Sequence, residues 1–476
     1  MRSEGADDAG HHFHEIIFTD RLFQLGVRRL IDLPQFPGIH SLMELNDRIF
    51  GRRPVLREST CGNQSQQKHE EPEFGTMRDG FHWSLQSQPI VEDTMRRFAF
   101  LALATVFVTG VEAQSVGQKP RARDLGVIFE GTPGPLNAIT DVKGVEVGHS
   151  TIVRGEGKLA VRTGVTAVLP RGKASTDLVY GGWFSLNGNG EMTGTTWLDE
   201  GGFVEGPVMI TNTSSVGVVR DAVITWQLRK SGLSQPWSLP VVAETWDGYL
   251  NDIAGMHVKP EHAWESLEKA QSGPVVEGNV GGGTGMVCHE FKGGIGTASR
   301  KLSERQGGYT VGVLVQCNYG SRRLFRVSGA PVGLEITDGA FRSANDPERN
   351  GDVGSIIIVV ATDAPLIPYQ LKRIARRAAI GLARNGSIAS NGSGDIFIAF
   401  STANPGVAAA AGPVKIDVLP NERMTALFEA TVMATEEAVI NAMVAAESMT
   451  GFDGHKVMAL PHDKLKDALK KYNRLK

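Results

Sequence analysis

Residues 390–400, SNGSGDIFIAF, place a serine between two glycines directly before an apolar run. A nucleophilic hydroxyl needs room for a carbonyl group, and a flanking glycine has no Cβ to obstruct it. The nucleophile elbow of α/β-hydrolases does not fit, because there the serine follows its strand. The order fits a serine that becomes N-terminal when the Gly392–Ser393 bond is cut, so that its α-amine acts as the base. The alternative is a loop serine in a glycine-rich turn.

Two other apolar runs end in polar groups that could serve such a serine. Glu244 follows the apolar residues of the run VVAET, and Trp246 stands two residues later. A carboxylate beside an aromatic ring can receive a substrate ammonium group, although a polar strand-to-loop transition has the same pattern. Asn318 ends the run TVGVLVQCN, where its amide could donate a hydrogen bond to an oxyanion.

A further acid lies in ATEEAVINAM, residues 434–443. On a helix, the residues three and four positions from Glu436 are Val432, Met433, Val439 and Ile440. A carboxylate on so apolar a face is either a surface charge or a buried functional acid. We predict that Glu437 faces solvent, although the two glutamates could exchange places.

The glycine-rich stretches and the cysteines argue against nucleotide-binding and zinc sites and against a disulfide framework. The stretches NGNGEMTGT and EGNVGGGTGMVCHEFKGGIGT contain no nucleotide-binding motif, so we predict close backbone approaches near a site instead. Cys61, Cys288 and Cys317 form no C-x-x-C pair. Neither a zinc site nor a disulfide framework is therefore expected.

The elements that position these groups follow from the apolar runs. Helices are predicted at Pro368–Arg384, from a cap at Asn421 to about Met449, and near residues 261–271. Strands and helices are mixed with no clean boundary, which favours one large layered α/β domain. The predicted strands are residues 165–170, 207–213, 239–245, 310–318, 355–362 and 395–402.

Composition indicates a soluble globular enzyme. The 476 residues are 41% hydrophobic and carry a net charge of −3, which gives no reason to expect nucleic acid or a membrane as a partner. Residues 1–94 show no sustained period, and we interpret them as an extension outside the mature protein. Residues 95–113 have the basic, apolar and small-residue order of a signal peptide, and their apolar run is shorter than the roughly 20 residues that span a bilayer. We therefore predict a periplasmic or secreted protein with one catalytic domain at residues 119–476.

In combination, several motifs resemble the L-aminopeptidase/D-esterase (DmpA-like) family, which includes the β-peptidyl aminopeptidases. The motifs are NGNGEMTGT, GNVGGGTGM, FKGGIGTASR, PLIPYQLKRIARRA and NGSGDIFIAFSTAN. The resemblance covers residues 119–476. It implies a four-layer αββα sandwich similar in principle to N-terminal-nucleophile hydrolases, with no cofactor. It also implies a homo-oligomer, a tetramer, that acts on small peptides or on amino-acid amides and esters.

The resemblance also implies a precursor that cleaves itself before a serine. Ser393 matches the nucleophile, so the α chain would end at Gly392 and the β chain would be residues 393–476. Asn318 matches the oxyanion-hole asparagine.

Two glutamates also match family residues, and next to each of them this chain differs from the family pattern. Glu244 matches the acid that holds the substrate's amino group, and Glu436 matches a catalytic helix glutamate. Trp246 stands where the family pattern has a tyrosine, so the acidic hydroxyl is missing. Ala434 stands where it has a serine, with Thr435 one position along.

The sequence therefore favours a serine aminopeptidase that requires a free substrate amine, and two alternatives stay open. One is a related acyltransferase such as the ornithine acetyltransferases, which use threonine where this chain has Ser393. The other is an uncleaved binding protein for amino compounds that keeps Glu244. A denaturing gel with one band or two separates the cleaved from the uncleaved protein.

Overall fold

The computed structural model describes residues 119–230, 235–341 and 354–476, which all belong to one compact unit. The predicted N-terminal extension, the predicted signal peptide and Cys61 lie outside these residues. Of the helices in the described part of the chain, none is long and apolar enough to cross a membrane.

Short strands and helices alternate along the described residues. The helices are α1 (Thr195–Gly201), α2 (Val216–Lys230), α3 (Pro260–Glu268), α4 (Val332–Glu335), α5 (Pro368–Arg384), α6 (Thr425–Val444) and α7 (His462–Lys471). The strands are β1 (Glu146–Arg154), β2 (Val161–Leu169), β3 (Val179–Gly188), β4 (Phe203–Val204), β5 (Val208–Asn212), β6 (Val241–Thr245), β7 (Val287–Cys288), β8 (Phe291–Lys292), β9 (Gly294–Lys301), β10 (Thr310–Asn318), β11 (Ser355–Thr362), β12 (Gly394–Ser401), β13 (Met449–Thr450) and β14 (Lys456–Val457).

Two sheets face each other at the centre of the domain. One has the order β1-β2-β5-β6 and the other the order β4-β3-β12-β11-β10-β9. Ile210 of the first sheet shares a buried cluster with Leu314 and Ile357 of the second. Helices α2 and α3 cover the outer face of the first sheet, and α5 and α6 cover the outer face of the second. This arrangement confirms the predicted four-layer αββα sandwich.

Along β10, β11 and β12, side chains point alternately to the space between the two sheets and to the helices α5 and α6. Leu314, Ile357 and Ile396 belong to the cluster between the two sheets. Ile356 and Phe397 belong to the cluster under α5 and α6. Successive side chains of a strand point to opposite faces. The face to which a polar residue at a strand end points can therefore be read from these apolar residues.

All six predicted strands are present, and β10, β11 and α5 have the predicted bounds. Pro368 occupies the first turn of α5, and the predicted apolar stripe on this helix is buried. The helix predicted from Asn421 to about Met449 is shorter, since Asn421 begins a 3₁₀ turn and α6 runs from Thr425 to Val444.

Candidate active site

Three neighbouring strands bring the predicted polar groups to one edge of the six-stranded sheet. Asn318, the last residue of β10, is paired with Ser355, the first residue of β11. Ser355 is in turn paired with Gly394, the first residue of β12. Ser393 immediately precedes Gly394, so two serines lie beside the predicted oxyanion donor. Ser355 and Ser393 are both buried, at 3% and 1% exposure.

Ser355 shares a face of the sheet with Asn318. Both follow the alternation of Leu314 and Ile357, whose side chains point between the two sheets. The backbone of Trp246 lies against both residues. Its N–H donates to Ser355 Oγ at 3.4 Å, and its carbonyl accepts from Asn318 Nδ2 at 2.8 Å. The hydroxyl of Ser355 and the amide of Asn318 therefore lie on the same side of the sheet, next to the backbone of Trp246.

Ser393 has a different environment. Its Oγ donates to Asp395 Oδ1 at 2.7 Å. Asp395 has the same strand parity as Phe397, which packs under the helices. The hydrogen bond thus directs the Ser393 hydroxyl toward the face opposite that of Asn318.

Both glycine–serine junctions have a carbonyl group that receives a hydrogen bond. The Gly354 carbonyl accepts from the N–H of Gly394 at 3.1 Å. The Gly392 carbonyl accepts from Asn189 Nδ2 at 2.8 Å. Such donors stabilise the negative charge that forms on a carbonyl oxygen under attack, so this feature alone does not choose between the two junctions.

Our sequence reasoning missed Ser355 and Asp395, although a signal for each was present. The stretch GDVGSIIIVVAT has the same glycine–serine–strand order as SNGSGDIFIAF. Asp395 stands two residues after Ser393, and on a strand this spacing puts two side chains on one face. The sequence could not show that both junctions meet at one sheet edge.

Asn318 is held in place by a neighbouring hairpin. Its Oδ1 accepts from the N–H of Val287 in β7 at 2.8 Å. One hydrogen on Nδ2 is bound to the Trp246 carbonyl, so a second hydrogen remains for an oxyanion. A disulfide between Cys288 and Cys317 lies directly beside this contact. The sequence analysis expected no disulfide framework and did not foresee this single bond, which forms because the hairpin β7–β8 returns next to the end of β10.

Glu244 lies near the same edge, in β6. Its Oε1 accepts from the N–H of Glu191 at 2.9 Å, and its Oε2 accepts from the Thr213 hydroxyl. Burial raises the pKa of this carboxyl, and the two hydrogen bonds oppose that rise. A cation that binds beside this buried carboxylate stabilises its charged form, which burial disfavours.

Gly190 separates Glu244 from the start of β12. A Cβ at this position would lie 3.1 Å from Glu244 Oε1 and 3.3 Å from the Cα of Gly394. Any side chain would fill the gap between the acid and the serines. In the second glycine-rich stretch, a Cβ on Gly282 would lie 2.2 Å from Gln316 Oε1. The predicted close backbone approaches are therefore confirmed.

The structure does not group Glu436 with the sheet-edge residues. Glu436 lies on α6, where its Oε2 accepts from Arg384 Nη1 at 2.9 Å. The same nitrogen reaches Glu130 Oε2 at 3.3 Å, and these side chains line a separate pocket of about 470 Å³. Burial raises the pKa of Glu436, and the Arg384 contact opposes this. Its catalytic assignment stays a prediction, since among the described residues its carboxylate contacts Arg384 and none of the sheet-edge groups.

The prediction that Glu437 faces solvent was wrong. This residue is fully buried, and its carboxylate binds Arg123 at 2.7 Å and Arg300 at 2.8 Å. Asn137 Nδ2 also donates to it at 2.6 Å. Burial acts to raise the pKa of this carboxyl, but the hydrogen bond and ion pairs outweigh burial and lower it. Glu437 is a structural anchor for the N-terminal segment of the domain.

Within the described ranges, no group of three or more His, Cys, Asp or Glu residues is arranged to hold a metal ion.

Known proteins share both the sequence and the fold. The sequence model of peptidase family S58 matches residues 137–457, which include the whole sheet edge. The chain is 57% identical over 371 residues to the beta-peptidyl aminopeptidase BapA of Sphingosinicella microcystinivorans, covering 75% of this chain and 93% of that protein.

Two solved structures resemble the fold. The L-aminopeptidase D-Ala-esterase/amidase of Ochrobactrum anthropi, a prototype of the serine aminopeptidases and a variant of the Ntn hydrolase fold, is 47% identical with a TM-score of 0.70. The match covers 75% of this chain and 100% of that one. A Burkholderia sp. beta-aminopeptidase is 47% identical with a TM-score of 0.69, over 74% of this chain and 99% of that one.

Proposed function

The chain belongs to peptidase family S58 and is a serine aminopeptidase, and we propose that Ser355 is its nucleophile. One observation carries the proposal: Ser355 is paired with Asn318 and points to the same face of the sheet. An attacking hydroxyl and an oxyanion donor must meet the same carbonyl group. The hydroxyl of Ser393 is instead bound to Asp395 on the other face.

The proposed maturation is a self-cleavage between Gly354 and Ser355. The Ser355 hydroxyl attacks the Gly354 carbonyl carbon, the C–N bond breaks, an ester forms at Oγ, and the hydroxyl proton passes to the released nitrogen. Water then hydrolyses the ester and leaves a carboxylate on Gly354. The N–H of Gly394 stabilises the charge that develops on the Gly354 oxygen. The products are an α chain that ends at Gly354 and a β chain of residues 355–476.

The free α-amine of Ser355 then serves as the base for peptide hydrolysis. It takes the proton of Oγ as Oγ attacks the substrate carbonyl, and the second N–H of Asn318 stabilises the oxyanion. The proton passes to the leaving amine when the acyl-enzyme forms. Water, deprotonated by the same amine, releases the acid and restores the hydroxyl.

The Ser393–Asp395 pair lies next to the new N-terminus. Ser355 is paired with Gly394, the residue between Ser393 and Asp395. A hydroxyl that is already bound to a carboxylate can accept a hydrogen bond from a neighbouring ammonium group. In this proposal the pair orients the Ser355 amine and stabilises the ammonium group that forms when the amine takes up the Oγ proton.

Ser393 is the second candidate nucleophile. Its hydrogen bond to Asp395 Oδ1 at 2.7 Å could activate the hydroxyl, and Asn189 polarises the Gly392 carbonyl. This alternative predicts a β chain of residues 393–476. The first residue of the β chain therefore separates the two assignments.

The substrate's free amine is held by Glu244 in this proposal. The acid is buried, fixed by two hydrogen bonds and close to the start of β12. Similarity to the beta-peptidyl aminopeptidase BapA favours small peptides whose N-terminal residue is a β-amino acid. Amino-acid amides and esters are the simplest substrates with the same groups. A comparison of β-alanyl and L-alanyl p-nitroanilide tests the preference.

Glu244→Gln is expected to lower kcat/KM for aminoacyl p-nitroanilides by roughly 30- to 100-fold and to raise KM. The change leaves the bound ammonium group without its charged partner, which costs about 2–3 kcal/mol. Self-cleavage is expected to continue, because no substrate amine takes part in that step. Steady-state kinetics and a denaturing gel measure the two effects.

N-acetylated substrates provide the matched control for Glu244. The wild type is expected to hydrolyse them poorly, and Glu244→Gln is expected to reduce this difference. The raised pKa of Glu244 also predicts that kcat/KM falls on the acid side, as the free enzyme's carboxylate is protonated. Equal turnover of acetylated and free-amine substrates would show a general amidase or esterase instead.

We also propose a periplasmic or secreted location and removal of residues up to Ala113. The signal-peptide pattern of residues 95–113 supports this, and so does a disulfide, which is typical of oxidising compartments. N-terminal sequencing of protein from a native host tests the proposal, and a mature chain that begins at Met1 contradicts it. The family resemblance further favours a homotetramer, which sedimentation analysis can test.

A further inference from the structure

The Cys288–Cys317 disulfide lies between two hydrogen bonds that hold the end of β10. On one side, the N–H of Val287 donates to Asn318 Oδ1 at 2.8 Å. On the other side, the N–H of His289 donates to the Tyr319 carbonyl at 2.7 Å. Residues 287–289 are thus tied to residues 317–319 by three adjacent links, and the disulfide is the covalent one.

The hairpin β7–β8 packs closely around the two cysteines. Both cysteines are completely buried. A Cβ on Gly293 would lie 2.9 Å from the Cβ of Cys288 and 2.3 Å from the Cys317 carbonyl oxygen. The glycine lets the hairpin β7–β8 close directly over the disulfide.

We propose that the Cys288–Cys317 disulfide positions Asn318 for catalysis, an inference that rests on the proposed oxyanion role of this residue. The side-chain amide is oriented by Val287 on one side and by the Trp246 carbonyl on the other. Without the disulfide, the hairpin can move away from β10, and the amide loses the partner of its oxygen. The remaining N–H then no longer points to the developing oxyanion.

This role predicts a specific kinetic effect. An oxyanion forms only in the transition state, so a misplaced donor lowers kcat and leaves KM nearly unchanged. A purely structural disulfide lowers the melting temperature without this kinetic signature. The two roles are therefore separable by experiment.

Peptide mapping first tests whether the bond is present. Active enzyme is denatured with iodoacetamide, digested without reductant and analysed by mass spectrometry. The peptides with Cys288 and Cys317 are expected as one linked species that separates on reduction. Recovery of both peptides singly, each with an alkylated cysteine, would overturn the inference.

A double-mutant cycle then tests whether the bond acts through Asn318. The Cys288→Ala/Cys317→Ala variant is expected to lose about tenfold in kcat at nearly constant KM. In the Asn318→Ala background, the same pair of changes is expected to cause no further loss. Val315→Ala is the matched control, because this buried residue of β10 points to the same side as Cys317. It is expected to lower the melting temperature and to leave kcat unchanged.

The outcomes of the cycle separate this inference from the proposed function. If Asn318→Ala leaves kcat unchanged, the oxyanion assignment fails and this inference fails with it. If Asn318→Ala lowers kcat but the cysteine changes lower it by the same further factor, only this inference is overturned. If kcat is unchanged in the Cys288→Ala/Cys317→Ala variant, again only this inference is overturned.

Discussion

Ser355→Ala is expected to leave a single uncleaved chain and to lower kcat/KM by a factor on the order of 10⁴ or more. Both losses have one cause, because the same oxygen attacks the Gly354 carbonyl in the precursor and the substrate carbonyl in the mature enzyme. A denaturing gel shows the missing cleavage. An aminoacyl p-nitroanilide assay measures the missing activity.

Ser393→Ala is the matched control, since it removes the other serine at the same sheet edge. This variant keeps the proposed nucleophile and is expected to yield the same two chains, while kcat falls because the amine of the matured Ser355 loses the hydroxyl that is bound to Asp395. Its catalytic loss should be smaller than that of Ser355→Ala. If Ser393→Ala stayed uncleaved while Ser355→Ala matured, the nucleophile would be Ser393.

Asn318→Ala is expected to lower kcat by about 10²- to 10³-fold with little change in KM, as the loss of one oxyanion donor does. Self-cleavage should continue, because the Gly354 carbonyl is bound by the N–H of Gly394 and not by Asn318. Steady-state kinetics on the matured variant gives the effect on each constant.

Asn189→Ala provides a comparison for Asn318. It removes another side-chain amide from the same edge, one that binds the Gly392 carbonyl. We expect it to change kcat much less than Asn318→Ala. Equal effects of the two substitutions would mean that Asn318 is not a specific donor to the oxyanion.

The sequence predicted six strands and three helices of the described residues. The bounds of β10, β11 and α5 agree with expectation, because β-branched runs and an amphipathic stripe mark them. The prediction missed β1, α2 and α7. It also missed β3 and β9, whose sequences VYGGWFSLNG and GIGTASRK are rich in small residues. Their glycines meet helix backbone: a Cβ on Gly182 would lie 2.4 Å from the nitrogen of Lys372, and one on Gly296 2.1 Å from the Ala438 carbonyl oxygen.

The candidate site was predictable only in part. Glu244 and Asn318 stand at strand ends, and the structure brings both to the edge that also contains Ser393. The face to which each serine points depends on the pairing of β10, β11 and β12, which a single sequence does not reveal. For this reason Ser355 was missed, although it has the same local pattern as Ser393.

Contacts between distant segments explain why the solvent-facing position of Glu437 was predicted wrongly and why the disulfide was not predicted. Glu436 and Glu437 differ by one helical position, and the Arg123 and Arg300 side chains that bind Glu437 come from other parts of the chain. The disulfide joins cysteines 29 positions apart that no motif connects.

The first residue of the β chain is the most direct test of this account. Purified wild-type enzyme is separated into its chains under denaturing conditions, and each chain is identified by intact mass and N-terminal sequencing. We expect a β chain that begins Ser355-Ile356-Ile357 and an α chain that ends at Gly354. A β chain that begins at Ser393, or active enzyme with a single full-length chain, would contradict the assignment of Ser355.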